Sequence, residues 1–448
     1  MGWGPSEARD AGSESAVALS SRLWRDPRRM TRPTKPALAA WCLFDWANSA
    51  YFTVIVTFVF ATYFTEAVAA NPTLGTTQWG YASSLAGLAI ALLAPALGAI
   101  ADQGRGRKAW AILFSLICIV ATALLWNVHP TPADVPLALG LVVVATLGAE
   151  FAIVFYNAML PGLASPERMG RLSGFGWGIG YVGGLGCLAV ALVGFVQTDT
   201  PWFGVGKEEA ANIRATAPMV AIWYLAFLLP FAFLTPDTPG RGLKPMAALK
   251  TGLAGLAATI RTARATPDLW RFLIANMLYT DGLTTLFAFG GIYAAGTFGF
   301  SFAEVIQFGI ALNVTAALGA VGFGWVDDRL GPRTAIAAGL SGLTLSSAVV
   351  LVSTSKPVFW IAALLIGLFL GPVQAASRTW MARRAPAEKR AELFGLMALS
   401  GKATAFLGPL VLAEVTRATG SQRWGMATIL VFFIAGLALL ATVRSPER

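Results

Sequence analysis

Twelve apolar stretches, at about 38–66, 79–101, 109–127, 135–160, 171–196, 218–236, 269–296, 302–326, 334–353, 357–382, 391–416 and 422–443, constrain this chain more than any other feature. A helix needs about 20 apolar residues to cross a bilayer, and nearly every stretch reaches that length. Backbone groups inside hydrocarbon must satisfy one another, so helices are the form such stretches take. The expected fold is therefore an all-α polytopic membrane protein with twelve transmembrane helices. Only 12% of the residues are charged and 56% are hydrophobic, against about 25% charged in soluble domains. This excludes a soluble enzyme, a disordered chain and a nucleic-acid-binding domain, despite a net charge of +10.

The position of the charge carries more than its sum. Arg105/Arg107/Lys108, Arg168/Arg171, Arg241/Lys244/Lys250/Arg261/Arg264, Arg329/Arg333 and Arg383/Arg384/Lys389/Arg390 fall in loops on one side, against Lys207, Arg214, Lys356, Arg417 and Arg423 on the other. An excess of Lys and Arg marks the cytoplasmic side. Both termini are thus expected in the cytoplasm. Residues 1–36, with Arg22, Arg25, Arg28, Arg29, Arg32 and Lys35, read as a disordered basic arm that attracts anionic headgroups at the cytoplasmic face. They lack the short apolar core and cleavage site of a signal peptide.

The longest loop, 237–268, holds Pro239, Pro245 and Pro267 around a moderately amphipathic stretch and splits the spans six and six. The expected units are a bundle over 37–236, a cytoplasmic linker over 237–268 and a second bundle over 269–448. Two matches support a duplication. After the second span the chain places Gly98, Asp102 and Arg107; after the eighth it places Gly324, Asp328 and Arg333 at the same intervals. Glycine permits close helix approach, aspartate is expected to cap the next helix or hold a basic partner, and the arginine is expected to anchor at the headgroups. The first span also carries Asp45, Asn48 and Ser49, and the seventh Asp281, Thr284 and Thr285. Both sets have i, i+3, i+4 spacing, which puts three polar groups on one helix face.

The two Gly-x-x-x-Asp loops resemble the cytoplasmic loop motif of the major facilitator superfamily. Phe44–Tyr51, Phe155-Tyr-Asn-Ala158, Leu278-Tyr-Thr-Asp-Gly282, Gln374-Ala-Ala-Ser-Arg378 and Phe394–Lys402 further resemble the family of the fungal vacuolar amino-acid effluxer of autophagy. The resemblance runs from about 40 to 443. It implies two pseudo-symmetric six-helix bundles around a central cavity, and efflux of amino acids. The Ala/Gly/Arg-rich composition and short loops point to a bacterial member in the inner membrane.

An ionisable group at the bilayer centre costs about 2.5–3.5 kcal/mol on insertion scales, so each needs a partner, water or a proton. Asp45 and Asp281 are candidates to carry protons or hold a substrate ammonium; the alternative is that they fix helix packing. Asn48, Glu150, Tyr156, Asn157, Tyr279 and Gln374 complete the candidate translocation set. Tyr156 and Asn157 form a plausible substrate-contacting pair, with helix–helix hydrogen bonding as the rival reading. Arg378 could grip a carboxylate, snorkel to headgroups, or pair with Asp327 or Asp328. Lys402 reads equally as a cytoplasmic gate partner or substrate counter-charge and as a snorkelling residue. Gly178, Gly180 and Gly183 match a dinucleotide fingerprint, but that fingerprint needs a preceding strand; close helix packing is the physical reading.

His129 alone makes no metal cluster, and Cys42, Cys118 and Cys187 make no disulfide framework. No cofactor is expected, and the protein reads as a non-enzyme. The leading function is a secondary transporter of small solutes, most simply amino acids, acting as a monomer without identified protein partners, with proton coupling through Asp45, Glu150 and Asp281 as a further expectation. A carrier of lipid-like or drug-like amphiphiles, and a transport-dead receptor or scaffold, are the alternatives.

Overall fold

The computed structural model describes residues 33–104, 106–237, 243–300 and 302–444. The basic arm expected over residues 1–36 lies outside the described residues up to residue 32, as do Arg105 and Arg241. Among the described residues twelve helices are long and apolar enough to cross a membrane. They are span 1 (Lys35–Val68), span 2 (Gln78–Gln103), span 3 (Arg107–Asn127), span 4 (Pro132–Leu163), span 5 (Pro166–Val196), span 6 (Glu208–Leu234), span 7 (Pro267–Gly291), span 8 (Gln307–Leu330), span 9 (Pro332–Val352), span 10 (Lys356–Arg384), span 11 (Ala387–Thr419) and span 12 (Gln422–Ala441). A further helix, Pro245–Ala265, stands between spans 6 and 7. Its Gly252 packs on the backbone of Ala99 in span 2, and Leu243 N–H donates to the Gln103 carbonyl at 3.0 Å. We call this side of the molecule the linker face.

Three local departures from a plain span have causes in the sequence. Span 2 belongs to a helix that starts at Pro72, earlier than its apolar stretch, because the Asn71 side chain accepts from Leu74 N–H at 2.9 Å and proline fills the first turn. Span 1 changes from α to π winding over Tyr51–Phe58, along the β-branched run Thr53-Val-Ile-Val-Thr57 and just past its polar triplet. Span 11 breaks after Lys402 and resumes at Leu407. Pro409 donates no N–H and its ring crowds the carbonyl four residues back. The chain instead closes tighter turns there, Ala405 N–H to Lys402 O and Leu407 N–H to Thr404 O.

Packing between spans rests on glycine. A methyl group on Gly176, Gly180 or Gly183 would strike Asp45, Ser49 or the backbone of Trp46, all on span 1. One on Gly170, Gly174 or Gly178 would strike Asp327, Ala320 or Val321 on span 8. Span 5 therefore presents one glycine stripe to each half of the molecule, which is the close approach that its small residues imply. Gly183→Ala, whose new carbon would stand 2.7 Å from Trp46 Cα and O, is expected to destabilise by about 1–3 kcal/mol through overpacking. Gly140→Ala in span 4, with nothing within 4 Å, is expected to leave stability unchanged or raise it by about 0.5–1 kcal/mol. Thermal unfolding of the two purified variants checks this; equal shifts would mean that the stripe does not set the packing.

Candidate functional site

The two loop motifs each cross from one half to the other. Asp102, in the last turn of span 2, accepts from Ala391 N–H at 3.2 Å and Glu392 N–H at 2.9 Å, the first turn of the span 11 helix. Asp328, in the last turn of span 8, accepts from Gly170 N–H at 2.8 Å and Arg171 N–H at 3.4 Å, the first turn of the span 5 helix. A carboxylate is favoured there because the first amides of a helix lack partners and carry its positive pole. Gly98 and Gly324 let the loops come that close: a side-chain carbon on them would meet the backbone of Ala391 or of Arg171. The linker face is thus closed by one aspartate cap from each half.

The motif arginines correct the expectation of headgroup anchors. Arg107 is 1% exposed; its Nε and Nη2 donate to Asp102 at 2.9 and 2.6 Å, and Nη2 also reaches the Ala387 carbonyl at 2.6 Å. Arg333 caps the last turn of span 12 through the Leu440 and Ala441 carbonyls at 3.3 and 2.6 Å. Asp328 pairs instead with Arg171, and Asp327 with Arg383 at 3.0 Å.

Deeper along the helices, Arg378 of span 10 enters the first half. It is 2% exposed, so it does not snorkel, and neither Asp327 nor Asp328 is its partner. Its Nη1 donates to Asp45 Oδ2 at 3.1 Å and Asn157 Oδ1 at 3.2 Å, its Nε to Ser173 Oγ at 2.8 Å, and its Nη2 to the Ser173 carbonyl. Tyr156 OH donates to the same Asp45 oxygen at 2.7 Å. Three rings surround the guanidinium: Trp41 at 5.1 Å, Tyr156 at 5.5 Å and Trp177 at 5.7 Å. Tyr156 is itself stacked between Trp41 and Phe44, each centroid 4.3 Å away. Such a cage holds a desolvated cation well.

A second ion pair joins the halves where span 11 breaks. Lys402 Nζ donates to Glu150 Oε1 of span 4 at 2.6 Å, and the ammonium also sits at a helix C-terminus, the pole that favours cations. Tyr181 OH donates to Gln374 Oε1 at 2.7 Å, again across the halves. The sequence reading missed Trp41, Ser173, Trp177 and Tyr181. The last three follow at four-residue intervals between the span 5 glycines, a polar and aromatic stripe that was there to be read.

Not every candidate joins this cluster. Asn48 donates to the Ala149 carbonyl at 3.5 Å, a bond within the first half. Tyr279 bonds Ser377 at 2.7 Å within the second. Asp281 repeats Asp45 in sequence but not in surroundings: it is 1% exposed, faces Thr404 at the span 11 break, and its Oδ1 has no hydrogen-bond partner. Among the described residues no group of three or more Cys, His, Asp or Glu could hold a metal.

Twelve spans in two halves, latched on one face by a reciprocal pair of aspartate caps and pinned inside by charge pairs between the halves, make a membrane transporter of the major facilitator superfamily. Residues 76–447 match the family model described as vacuole effluxer Atg22 like. The chain belongs to that family, whose members are transporters and not enzymes. It is 27% identical over 410 residues to the uncharacterized MFS-type transporter YxiO of Bacillus subtilis, covering 90% of this chain and 94% of that one. It is 24% identical over 293 residues to autophagy-related protein 22 of Cryptococcus neoformans, covering 61% of this chain but only 50% of the fungal protein. Among solved structures the proton:xylose symporter XylE superposes with a TM-score of 0.71 at 13% identity over 92% of this chain and 96% of that one. The human organic anion transporter MFSD10 gives 0.69 at 16% identity over 92% and 100%.

Proposed function

We propose that this protein is a secondary transporter that exports amino acids from a bacterial cytoplasm by alternating access, with the linker face and both termini cytoplasmic. The observation that carries the reading is the pair of ion bridges inside the membrane, Arg378–Asp45 and Lys402–Glu150, each with one partner from each half. Such pairs hold only while the linker face is closed. Opening it separates two carboxylates from two cations, and a zwitterion carries the charges that compensate both. The family description of a vacuole effluxer and the fungal relatives support export.

The domains follow the sequence boundaries in this proposal: a first bundle over 37–236, a linker over 237–268 and a second bundle over 269–448. Within the site Asp45 receives the ammonium, with Tyr156 and Asn157 beside it, while Lys402 and Gln374 face the carboxylate side. Asp281, buried with an unpartnered oxygen, is the proton site. Gly98, Asp102, Arg107, Gly324, Asp328 and Arg333 form the cytoplasmic gate, against anionic headgroups.

Counterflow tests the reading. Proteoliposomes preloaded with mixed amino acids are challenged with labelled ones, with and without an imposed pH gradient. Accumulation of a label is expected, and gradient dependence lost in Asp281→Asn would assign the proton site. No accumulation by folded protein would sink amino acids as substrate.

A further inference from the structure

We propose that Asp45, Trp41, Tyr156, Trp177, Asn157 and Ser173 form a cation subsite complete within the first half, and that Arg378 of the second half occupies it as a tethered surrogate whenever no substrate is bound. This rests on the transporter reading above and narrows the substrate to molecules bearing an ammonium or guanidinium group.

Every group that holds the guanidinium comes from spans 1, 4 and 5, and the guanidinium alone comes from span 10. The cage therefore stays whole when the linker face opens and span 10 withdraws. What it offers is acceptors: the Asp45 carboxylate, the Asn157 Oδ1 oxygen and the Ser173 carbonyl. Of the hydroxyl protons nearby, that of Tyr156 is committed within the first half, donating to Asp45 at 2.7 Å, whereas Ser173 Oγ donates to the Ala375 carbonyl of span 10 at 2.8 Å and is released when span 10 withdraws. A carboxylate and two neutral acceptors beside three aromatic rings favour an all-donor cation over a carboxylate.

The arrangement has a transport consequence. An emptied cage holds a carboxylate that is costly to bury unpaired, so closure needs a cation in it. Substrate supplies one; with no substrate, Arg378 does. Arg378 thus lets the unloaded carrier close and return, which is what net export needs in addition to exchange.

Guanidinium is the probe, because it is the Arg378 head without its tether. The purified full chain and Arg378→Ala are titrated with millimolar guanidinium and with urea, its neutral near-isostere, reading calorimetric binding and thermal unfolding. Arg378→Ala is expected to bind guanidinium about tenfold or more tighter than the native chain, to be stabilised by it and not by urea, and to lose both responses when Asp45→Asn is added. Absence of a guanidinium response over urea, or a response that survives Asp45→Asn, would overturn the proposal. Arg378→Met, which keeps the apolar stem of the side chain and removes the guanidinium head, supplies the same measurement if the alanine variant fails to fold. Binding and transport fail separately. A guanidinium response without counterflow keeps the subsite and removes the amino-acid reading; counterflow without the response does the reverse.

Discussion

Replacing Asp45 with Asn is expected to open the linker face of the unloaded carrier and to cut counterflow by about 100-fold or more, the factor set by about 3–5 kcal/mol for breaking one side of a buried pair. Arg378 and Asp45 are 3% and 16% exposed in their side chains, so water does little to replace the lost carboxylate. The amide can accept one bond but leaves a full positive charge among three rings and three other neutral oxygens, Asn157 Oδ1, Ser173 Oγ and the Ser173 carbonyl. The rings offset part of this, about 2 kcal/mol at most for a desolvated contact. Closure then becomes the unfavourable state. Spin labels at Glu167→Cys and Glu388→Cys, exposed residues in the opening turns of spans 5 and 11 on the linker face, report it as a lengthened distance. Adding Arg378→Gln removes the stranded charge, and the double variant is expected to close better than Asp45→Asn alone. An unchanged distance in the single variant would mean that the pair does not hold the halves together.

The second large effect is expected from Asp102→Ala. Asp102 accepts four hydrogen bonds, two from Arg107 and two from the span 11 amides. Losing the cap alone costs about 1 kcal/mol. Stranding Arg107, 1% exposed, costs about 3–5 kcal/mol, so the charge decides the outcome. Asp328→Ala removes the matching cap, but its partner Arg171 is 37% exposed and can turn to solvent, where an ion pair is worth about 0–1 kcal/mol. The same spin labels should therefore show Asp102→Ala opening the linker face far more than Asp328→Ala. Equal effects would show that the caps act and the buried arginine does not.

How much of this was legible in the sequence depends on the range of the interaction. Spans are local matters of hydropathy, and the twelve stretches match the twelve helices. Where an end differs, a local signal explains it: Asn71-Pro72 starts a helix before its apolar residues begin, and Gly408-Pro409 interrupts one that reads as continuous. The motif aspartates were legible as helix caps, but the expected target, the next helix in the chain, is corrected: Asp102 caps the span 11 helix and Asp328 the span 5 helix, each in the opposite half. Where the arginines would turn was not legible either. Arg107 looks like any loop arginine until span 11 lies over it. Asp45 and Arg378 stand 333 residues apart, and nothing in either neighbourhood names the other. The internal repeat misled in one place, since Asp45 and Asp281 share spacing while only Asp45 meets a cation from the opposite half.

The two glycine stripes of span 5 have a consequence for how easily the molecule moves. Contact with span 8 through Gly170, Gly174 and Gly178 is close enough that no methyl group fits, so it fixes registry tightly. Yet glycine has no side chain to withdraw from its surroundings, and dispersion between backbones fades within an ångström or so of separation. The seam is snug without being adhesive. Adhesion between the halves is concentrated in a few charge pairs that substrate and solvent can replace, and the broad surface between them behaves as a bearing, holding alignment while offering little resistance to parting.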